Sequence, residues 1–328
     1  MYIETLSHLK GTKLNIWTDF LALAGLEADP DHSQVVLVWE DGRLIATGCR
    51  RDHILKCIAV DSHRRGEDLT ATVLTALRQG AFLEGHRHLF LYTKPENRQM
   101  FTSLFFHPVA QVPQVLLMEN QKEGIRSFLS SLPLSPVTGI VGAIVMNCNP
   151  FTLGHRYLIE TAAGECDHLY IFVLSEDKSR FTAADRMEMV RLGTQDLSNV
   201  SLLPTGPYLI SSATFPTYFL KDREQAGQIH CLLDIEIFAK YFVPHFSICR
   251  RYVGTEPLSP VTRQYNEALR AYLPERGMEL KEVPRLERNA APVSASLVRQ
   301  LIDAKDRETV KTLVPQTTYE YLQSKGLL

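Results

Sequence analysis

The chain has 328 residues, of which 45% are hydrophobic and 22% charged, and its formal net charge is −2. This length favours two domains, and the composition excludes a wholly disordered chain. The balanced charge argues against a dedicated nucleic-acid or anionic-membrane binder, and no apolar run approaches the roughly 20 residues of a membrane-spanning helix. Six cysteines without CxxC spacing predict neither a zinc site nor a disulfide framework, so we expect a cytoplasmic location.

The first part of the chain predicts an antiparallel-rich α+β domain. Strands are expected over 33–39, 44–50, 53–60, 88–93 and 112–118, and helices over 68–83 and 97–104. The Asp41-Gly42 pair indicates a hairpin turn between the first two strands. An uncharged stretch rich in Ser and Pro follows at 127–139, which predicts a boundary near Pro136. The predicted domains are therefore 1–130 and 138–328.

The second part alternates strands with helices, a pattern typical of a doubly wound parallel sheet. Strands are predicted over 140–146, 168–174, 200–203 and 248–253, and helices over 156–163, 182–192 and 294–303. In such sheets, ligands bind at the carboxyl ends of the strands. Polar segments that follow a predicted strand are therefore the first candidates for a functional site.

The most informative segment is NCNPFTLGH, residues 147–155, which follows the first strand of this part and opens a helix. Unpaired N–H groups at a helix start attract anions, and Gly154 permits close approach of a phosphate to the backbone. Thr152 and His155 can donate hydrogen bonds to phosphate oxygens. The alternative is that His155 only caps the helix. Cys148 lies inside this loop, so we expect thiol reagents to modify it and a bound phosphate ligand to protect it.

A second segment, VSASLVR at 293–299, begins another helix. Ser296 and Arg299 are three residues apart and share a helical face. A serine at a helix start is usually a simple cap, worth about 1 kcal/mol. Alone, this segment does not distinguish a cap from a phosphate ligand.

Together, the two segments resemble the signatures of the nucleotidylyltransferase superfamily, an (H/T)xGH loop and a late ISSTxxR segment. Thr152 and His155 fit the first signature, and 294–299 fits the second with small-residue departures at Ala295 and Ser296. The segment 178–186 is similar to the lysine loop of pantetheine-phosphate adenylyltransferases.

A closer resemblance is to the [citrate (pro-3S)-lyase] ligase family. It is carried by GAIVMNCNPFTLGHRYLIE, YLISSATFPTYFLKD and RYVGTEP, and it extends to the front of the chain. There, 63–68 and 97–106 resemble the coenzyme A loop and the later Asn-to-GF segment of acetyltransferases, with Asp68 and Phe105 as departures. The resemblance implies a C-terminal Rossmann-like parallel sheet of the HxGH nucleotidylyltransferase type, preceded by a smaller α+β, GNAT-like domain.

The family resemblance implies an ATP-dependent acid–thiol ligase. Acetate would be activated as acetyl-adenylate with release of pyrophosphate. The acetyl group would then pass to the phosphoribosyl-dephospho-coenzyme A arm of the citrate lyase acyl carrier subunit. Mg²⁺ is expected to accompany ATP, with no metal site built from protein side chains. The alternative is an adenylyltransferase that joins ATP to a phosphorylated small molecule, and a decayed regulatory site or an active amine acetyltransferase are further readings.

The resemblance also assigns roles to individual residues. The catalytic residues are His155, Thr152, Lys178 and Arg299. The ATP-binding residues are Asn147, Asn149, Phe151, Gly154, Thr255, Glu256, Ser294 and Ser296, and the substrate-binding residues are Arg186, Ser211 and Thr214.

Several of these residues have a simpler alternative role. Lys178 can be a solvated loop lysine, and Arg186 can pair with a carboxylate on its own helix. Ser211 and Thr214 can form a turn before Phe215, and Thr255 with its neighbour can simply end a strand. For the front domain, we expect Arg64 and Arg65 to bind the pyrophosphate of the carrier arm, the alternative being a docking platform without a pocket in use.

Overall fold

The computed structural model describes the chain except residues 65, 137, 211–214, 221–224, 257–259 and 289–290. It forms two compact units, Met1–Ile125 with Pro216–Ile229, and Arg126–Phe215 with His230–Leu328. This division differs from the predicted one. Phe128 packs on Tyr208 at 5.6 Å between ring centroids, which places the segment after Ile125 in the second unit. The Tyr218 hydroxyl donates to the Tyr92 carbonyl at 2.8 Å, which places 216–229 in the first.

The first unit is built on a seven-stranded sheet with the order β1-β2-β3-β4-β5-β7-β6, in which β4 and β5 are the parallel pair. The strands are Tyr2–Leu6, Gln34–Glu40, Arg43–Arg51, Ile54–Val60, Phe90–Thr93, His107–Gln111 and Leu116–Glu119 (β1–β7). The helices are Gly11–Leu23, Leu69–Leu83 and Arg98–Ser103 (α1–α3). Valine and leucine side chains of α2 pack on this sheet to form the core. The predicted strand at 112–118 corresponds to a turn followed by β7, and β6 at His107–Gln111, which pairs with β7, was not predicted.

The second unit is built on a five-stranded parallel sheet with the order β10-β9-β8-β11-β12. Its strands are Val141–Met146, His168–Val173, Val200–Pro204, Arg250–Gly254 and Glu279–Val283 (β8–β12), with a small hairpin of Glu287–Arg288 and Ala291–Pro292 (β13, β14). The helices are Gly124–Ser130, Leu153–Gly164, Ala183–Thr194, Ala226–Ile237, Val243–Phe246, Pro260–Tyr272, Ala295–Asp303, Arg307–Leu313 and Gln316–Ser324 (α4–α12). The helices α4 and α7 cross the division between the units.

Both faces of this parallel sheet are covered, as its apolar strands require. Leu169 and Ile171 of β9 pack in the core with α5, α6 and α10. Tyr170 and Phe172 point to the other face, where both rings meet Phe246. The predicted fold class, a doubly wound parallel sheet preceded by a mixed α+β domain, is confirmed.

The strand order places a topological switch point between β8 and β11. β8 extends to β9 and β10 on one side, and β11 extends to β12 on the other. A crevice for ligands opens at the carboxyl ends of the strands at such a point. The loops after β8 and β11 therefore frame the candidate site. No helix in the described part of the chain has the length and apolar character to cross a membrane.

Candidate functional site

The loop after β8 turns sharply and leads into α5. Cys148 has a left-handed φ of 53°, and Thr152 caps the helix with its side chain. The Thr152 hydroxyl accepts the backbone N–H of His155 at 3.4 Å, while Nδ1 of His155 accepts the backbone N–H of Thr152 at 3.0 Å. This reciprocal capping box fixes the imidazole ring at the first turn of α5.

The capping box also fixes the proton on His155. Because Nδ1 accepts a hydrogen bond from a backbone N–H, the neutral ring carries its proton on Nε2. Burial, and to a smaller extent the positive charge of Arg285, lowers the pKa of His155 to about 4. The ring is therefore neutral near pH 7, with Nε2–H as its free donor. A neutral donor of this kind can bind a phosphate oxygen on which charge develops.

Phe151 lies under the imidazole and not in an open pocket. Its ring is fully buried and stacks on His155 with centroids 5.9 Å apart. A Cβ on Gly193 would lie 2.4 Å from this ring, so that glycine makes room for it. The Phe151 side chain therefore supports the loop from below, and its assignment to ATP binding stays a prediction.

The start of α10 lies beside the start of α5. Ser294 caps α10 and accepts the N–H of Leu297 at 3.1 Å. A Cβ on Gly154 would lie 3.1 Å from the carbonyl oxygen of Val293, so the glycine permits the close approach. The two helix N-termini thus converge, and each directs unpaired N–H groups and the positive end of its dipole outward.

Arg299 connects the two segments that carry the sequence motifs. Its Nη1 donates to the carbonyl of Asn149 at 2.6 Å, and its Nη2 donates to the hydroxyl of Ser296 at 3.0 Å. Burial lowers the pKa of Arg299, and the nearby guanidinium of Arg180 lowers it further. Within the described part of the chain, no carboxylate forms an ion pair with Arg299. A half-buried cation at two helix N-termini is suited to an anionic ligand.

Arg186 is fully buried beneath the loops, and the chain itself occupies its donors. Nε donates to the Phe181 carbonyl at 3.1 Å, and Nη2 donates to the Glu176 carbonyl at 2.5 Å. Nη1 donates to the carbonyl of Leu174 and to both oxygens of Asn147. Arg186 therefore ties the loop after β8 to the loop after β9, and its assignment to substrate binding stays a prediction.

The two asparagines of the loop contact the loop after β9. The Nδ2 of Asn147 lies 3.2 Å from the hydroxyl of Ser179, and the Oδ1 of Asn149 accepts the N–H of Phe181 at 3.2 Å. Lys178 is exposed in the same loop. Ser211 and Thr214 lie outside the described residues.

Thr255 and Glu256 follow β11 and hold Arg285 in place. The Thr255 carbonyl accepts Nε of Arg285 at 2.8 Å, and its hydroxyl accepts the Arg285 N–H at 3.2 Å. The Glu256 side chain is 4% exposed and pairs with the guanidinium of Arg285. The Glu256 carboxylate therefore holds Arg285, and its assignment to ATP binding stays a prediction.

Three polar residues of this region were missed by sequence reasoning: Ser179, Arg180 and Arg285. Arg180 pairs with Asp303 and donates to the Arg299 carbonyl at 3.3 Å. Arg285 comes two residues after β12, so the rule that ligands bind at the carboxyl ends of strands could have found it. Arg180 follows β9 by several residues, and only its contact with α10 indicates its place.

The described residues contain no group of three or more His, Cys, Asp or Glu side chains that could hold a metal ion. The donors around the two helix N-termini are guanidinium, imidazole, hydroxyl and backbone N–H groups, which suit anions. These residues do not fit a protein-held Mg²⁺ site.

The first unit contains a cavity of about 620 Å³ between β4 and β5. These strands pair at only two positions, Ile54 with Phe90 and Leu55 with Leu91, and then diverge. The lining includes Ile58–Val60, Leu91–Thr93, Asn97, Tyr218 and Phe219.

Carboxylates surround Arg64 at the rim of this cavity. Its guanidinium pairs with Glu40 and with Glu67, the latter at 2.7 Å. Asp68 begins α2 with a left-handed φ of 53°. The positive charge of Arg64 is thus neutralised, and Arg65 lies outside the described residues.

Comparison with known proteins identifies the family. Residues 141–322 match the model of the citrate lyase ligase C-terminal domain. The [Citrate [pro-3S]-lyase] ligase of Klebsiella pneumoniae is 40% identical over 92% of this chain and 90% of its own length. The Escherichia coli enzyme of that name is 39% identical over 93% of this chain and 89% of its own length. A phosphopantetheine adenylyltransferase of Symbiobacterium thermophilum is 36% identical over 20% of this chain and 41% of its own length. The chain therefore belongs to the citrate lyase ligase family.

Proposed function

We propose that this ligase activates acetate with ATP and acetylates the prosthetic-group thiol of the citrate lyase acyl carrier subunit. The family establishes a ligase role in citrate lyase activation. The proposal adds two chemical steps. Acetyl-adenylate and pyrophosphate form first, and acetyl transfer with release of AMP follows.

In the first step, a carboxylate oxygen of acetate attacks the α-phosphorus of ATP in line. The bond from that phosphorus to the bridging oxygen breaks, and pyrophosphate leaves with the electron pair. Little covalent chemistry falls to the protein, so positioning and charge stabilisation dominate. We assign Nε2–H of His155 and the N–H groups at the starts of α5 and α10 to the phosphate oxygens. Arg299 neutralises the departing pyrophosphate, and Lys178, exposed in the loop after β9, is proposed to assist.

In the second step, the thiolate of the carrier arm attacks the carbonyl carbon of acetyl-adenylate. A thioester forms, and AMP leaves with the oxygen that joined it to the acetyl group. Mg²⁺ would be held by ATP itself and would neutralise phosphate charge, because the described residues contain no cluster of carboxylates that could bind it. No residue of this chain is assigned to it.

The observation that carries the proposal is the convergence of two capped helix N-termini on Arg299, which forms no ion pair with a carboxylate of the described residues. Thr152 and Ser294 supply the caps, Gly154 permits the approach, and Arg299 joins them. The neutral imidazole of His155 completes the set with a donor whose direction is fixed. Such an arrangement favours a polyphosphate over a neutral ligand.

The cavity of the first unit is proposed to receive the carrier arm. Its volume, about 620 Å³, lies in the usual range of small-molecule sites and is large enough for a linear group such as the carrier arm. The backbone of β4 beyond Leu55 is unpaired on the side of β5, which offers N–H and carbonyl groups to the amides of the arm. Arg64 is already paired with two carboxylates, so the arm would be recognised through these amides rather than through its pyrophosphate.

The alternative is an adenylyltransferase that acts on a phosphorylated small molecule. The similarity to such an enzyme covers 20% of this chain, whereas the similarity to the ligases covers about nine tenths. The ligase relatives also account for the first unit, which the adenylyl chemistry alone does not need.

The test is acetylation of purified acyl carrier subunit with a free arm thiol. We expect a mass gain of one acetyl group on the arm that requires both ATP and acetate, and one AMP formed for each thioester. A carrier whose thiol is blocked with iodoacetamide is the matched control. Adenylylation of pantetheine phosphate without acetylation of the carrier would favour the alternative.

A further inference from the structure

Arg251 is a buried cation, and two of its side-chain nitrogens have no hydrogen-bond partner among the described residues. It lies on β11, and 2% of it is exposed. No acceptor anywhere in the described structure lies within hydrogen-bonding distance of its Nε or Nη1, although both atoms are buried. A buried polar atom without a partner costs free energy, so its retention calls for an explanation.

The other two fully buried arginines behave differently. Arg186 makes five hydrogen bonds to the chain. Arg50 pairs with Glu84 and donates to Gln34 and to the carbonyl of Asp52. Arg251 instead has its guanidinium carbon 4.2 Å from the centroid of the Phe238 ring. That contact covers one face of the cation and leaves the donors at its edge unused.

The position of Arg251 in the sheet indicates a role for the donors that have no partner. β11 pairs with β8 only through Arg250 with Gly142 and Arg251 with Ala143, and beyond these residues the two strands separate. Arg251 is therefore the last residue of β11 that pairs with β8, at the point where the two strands begin to separate. The crevice between these strands is the topological switch point at which the phosphate-binding loop also begins.

Polar groups around Arg251 are engaged elsewhere. Asp234 on α7 accepts the hydroxyl of Tyr265 at 2.5 Å, and it forms no ion pair with Arg251. Burial raises the pKa of Asp234, and the charges of His230 and Arg251 both oppose this, which places the three groups in one cluster. Nε2 of His230 lies 2.8 Å from the Ile210 carbonyl, directly before residues 211–214.

We infer that Arg251 is the carboxylate-binding residue for the small acid that this enzyme activates. A carboxylate is planar, carries one negative charge and matches the donor edge of a guanidinium. The Phe238 ring limits the space beside it, which favours a short acid such as acetate. One oxygen bound to Arg251 leaves the second oxygen free to attack phosphorus. The identity of the anion rests on the proposed function, while the unsatisfied cation does not.

If Arg251 binds the acid, its replacement by an apolar residue should keep or raise the stability of the protein and weaken its use of acetate. A buried cation without a partner can be replaced by an apolar side chain of similar length at little or no cost in stability. We therefore expect Arg251→Met to melt at or above the wild-type temperature. Its KM for acetate should rise about 100-fold or more, while its KM for ATP stays within about twofold. Arg251→Lys should recover part of the acetate affinity.

The experiment compares wild type, Arg251→Met, Arg251→Lys and the neighbouring control Arg250→Lys. Acetate-dependent exchange of labelled pyrophosphate into ATP gives both KM values. Thermal stabilisation by sodium acetate without ATP gives binding directly. Loss of acetate effects in Arg251→Met, with ATP affinity kept, supports the inference. An unchanged acetate KM overturns it, and so does a collapse of stability in Arg251→Met that Asp234→Asn relieves, because the arginine would then serve only to balance Asp234.

The same data separate this inference from the proposed function. Wild-type protein without acetate-dependent exchange would refute the proposed adenylation. If acetate still stabilises the wild-type protein but not Arg251→Met, the anion site is supported even without the adenylation. If exchange is normal in wild type and in Arg251→Met, the adenylation stands and the anion site is wrong.

Discussion

Replacement of His155 by asparagine separates the role of its ring in the helix cap from its role toward phosphate. The Oδ1 of asparagine falls close to the position of Nδ1. It can therefore accept the N–H of Thr152, which lies 3.0 Å from Nδ1. Asparagine has no group at the position of Nε2. His155→Asn should thus keep the cap and lose the donor.

The two effects have different sizes. Loss of one donor to a developing oxyanion costs about 3 kcal/mol, which corresponds to a rate about 100-fold lower. A retained cap should keep the free energy of unfolding within about 0.5 kcal/mol of wild type. His155→Gln is the matched control, since its amide reaches the Nε2 position but leaves the Thr152 N–H without its acceptor. It should lose about 1 kcal/mol of stability and keep part of the activity.

The assay is acetate-dependent exchange of pyrophosphate into ATP, with urea unfolding of the same preparations. If His155→Asn exchanges pyrophosphate within a few fold of wild type, the Nε2 donor is not needed. If it loses as much stability as His155→Gln, the capping box does not act as the structure indicates.

Four further outcomes are expected. Arg299→Lys should lower kcat/KM for ATP about tenfold or more with little change in stability, measured by kinetics and thermal melting, because lysine lacks the planar fork that bridges two partners. Arg186→Met should cost about 3 kcal/mol or more in urea unfolding, because five acceptors lose their donor. Thiol reagents should label the exposed Cys249 and spare Cys148, because Cys148 is 1% exposed and burial raises the pKa of its thiol. Peptide mapping measures the labelling of each cysteine, and strong labelling of Cys148 would contradict its burial in the loop. As pH falls from about 6.5 to 4, the unfolded chain protonates His155 and the folded chain does not, so stability should drop by up to about 3 kcal/mol relative to His155→Asn.

The Cys148 outcome reverses the expectation from sequence. A cysteine between two asparagines in a polar loop predicts an accessible thiol. The left-handed φ of Cys148 turns its side chain inward instead, into the core beneath the sheet edge. Sequence position places a residue in a loop, but only the backbone geometry decides which way the side chain points.

The loop and helix architecture of the site could be predicted because it depends on local signals. An apolar strand, a polar turn and a Thr-x-x-His cap lie within 15 residues of one another. The two alternatives for His155, a cap or a phosphate ligand, prove compatible in geometry: Nδ1 serves the cap and leaves Nε2 available. The apolar run of β9 likewise predicts a strand buried on both faces.

The remaining features depend on contacts distant in sequence. The burial of Arg186 requires carbonyl groups from two loops, and Arg285 approaches His155 only after five strands are assembled. Residues 216–229 join the first unit because Tyr218 and its neighbour line the cavity there. A composition shift near Pro136 cannot reveal such an exchange of segments.

The most direct test of adenylate formation uses wild-type protein without any carrier subunit. Labelled pyrophosphate is supplied with ATP, in the presence of acetate, of pantetheine phosphate, or of neither. Label should enter ATP only with acetate. Exchange that depends on pantetheine phosphate, or an absence of acetate-dependent exchange in folded protein, would contradict it.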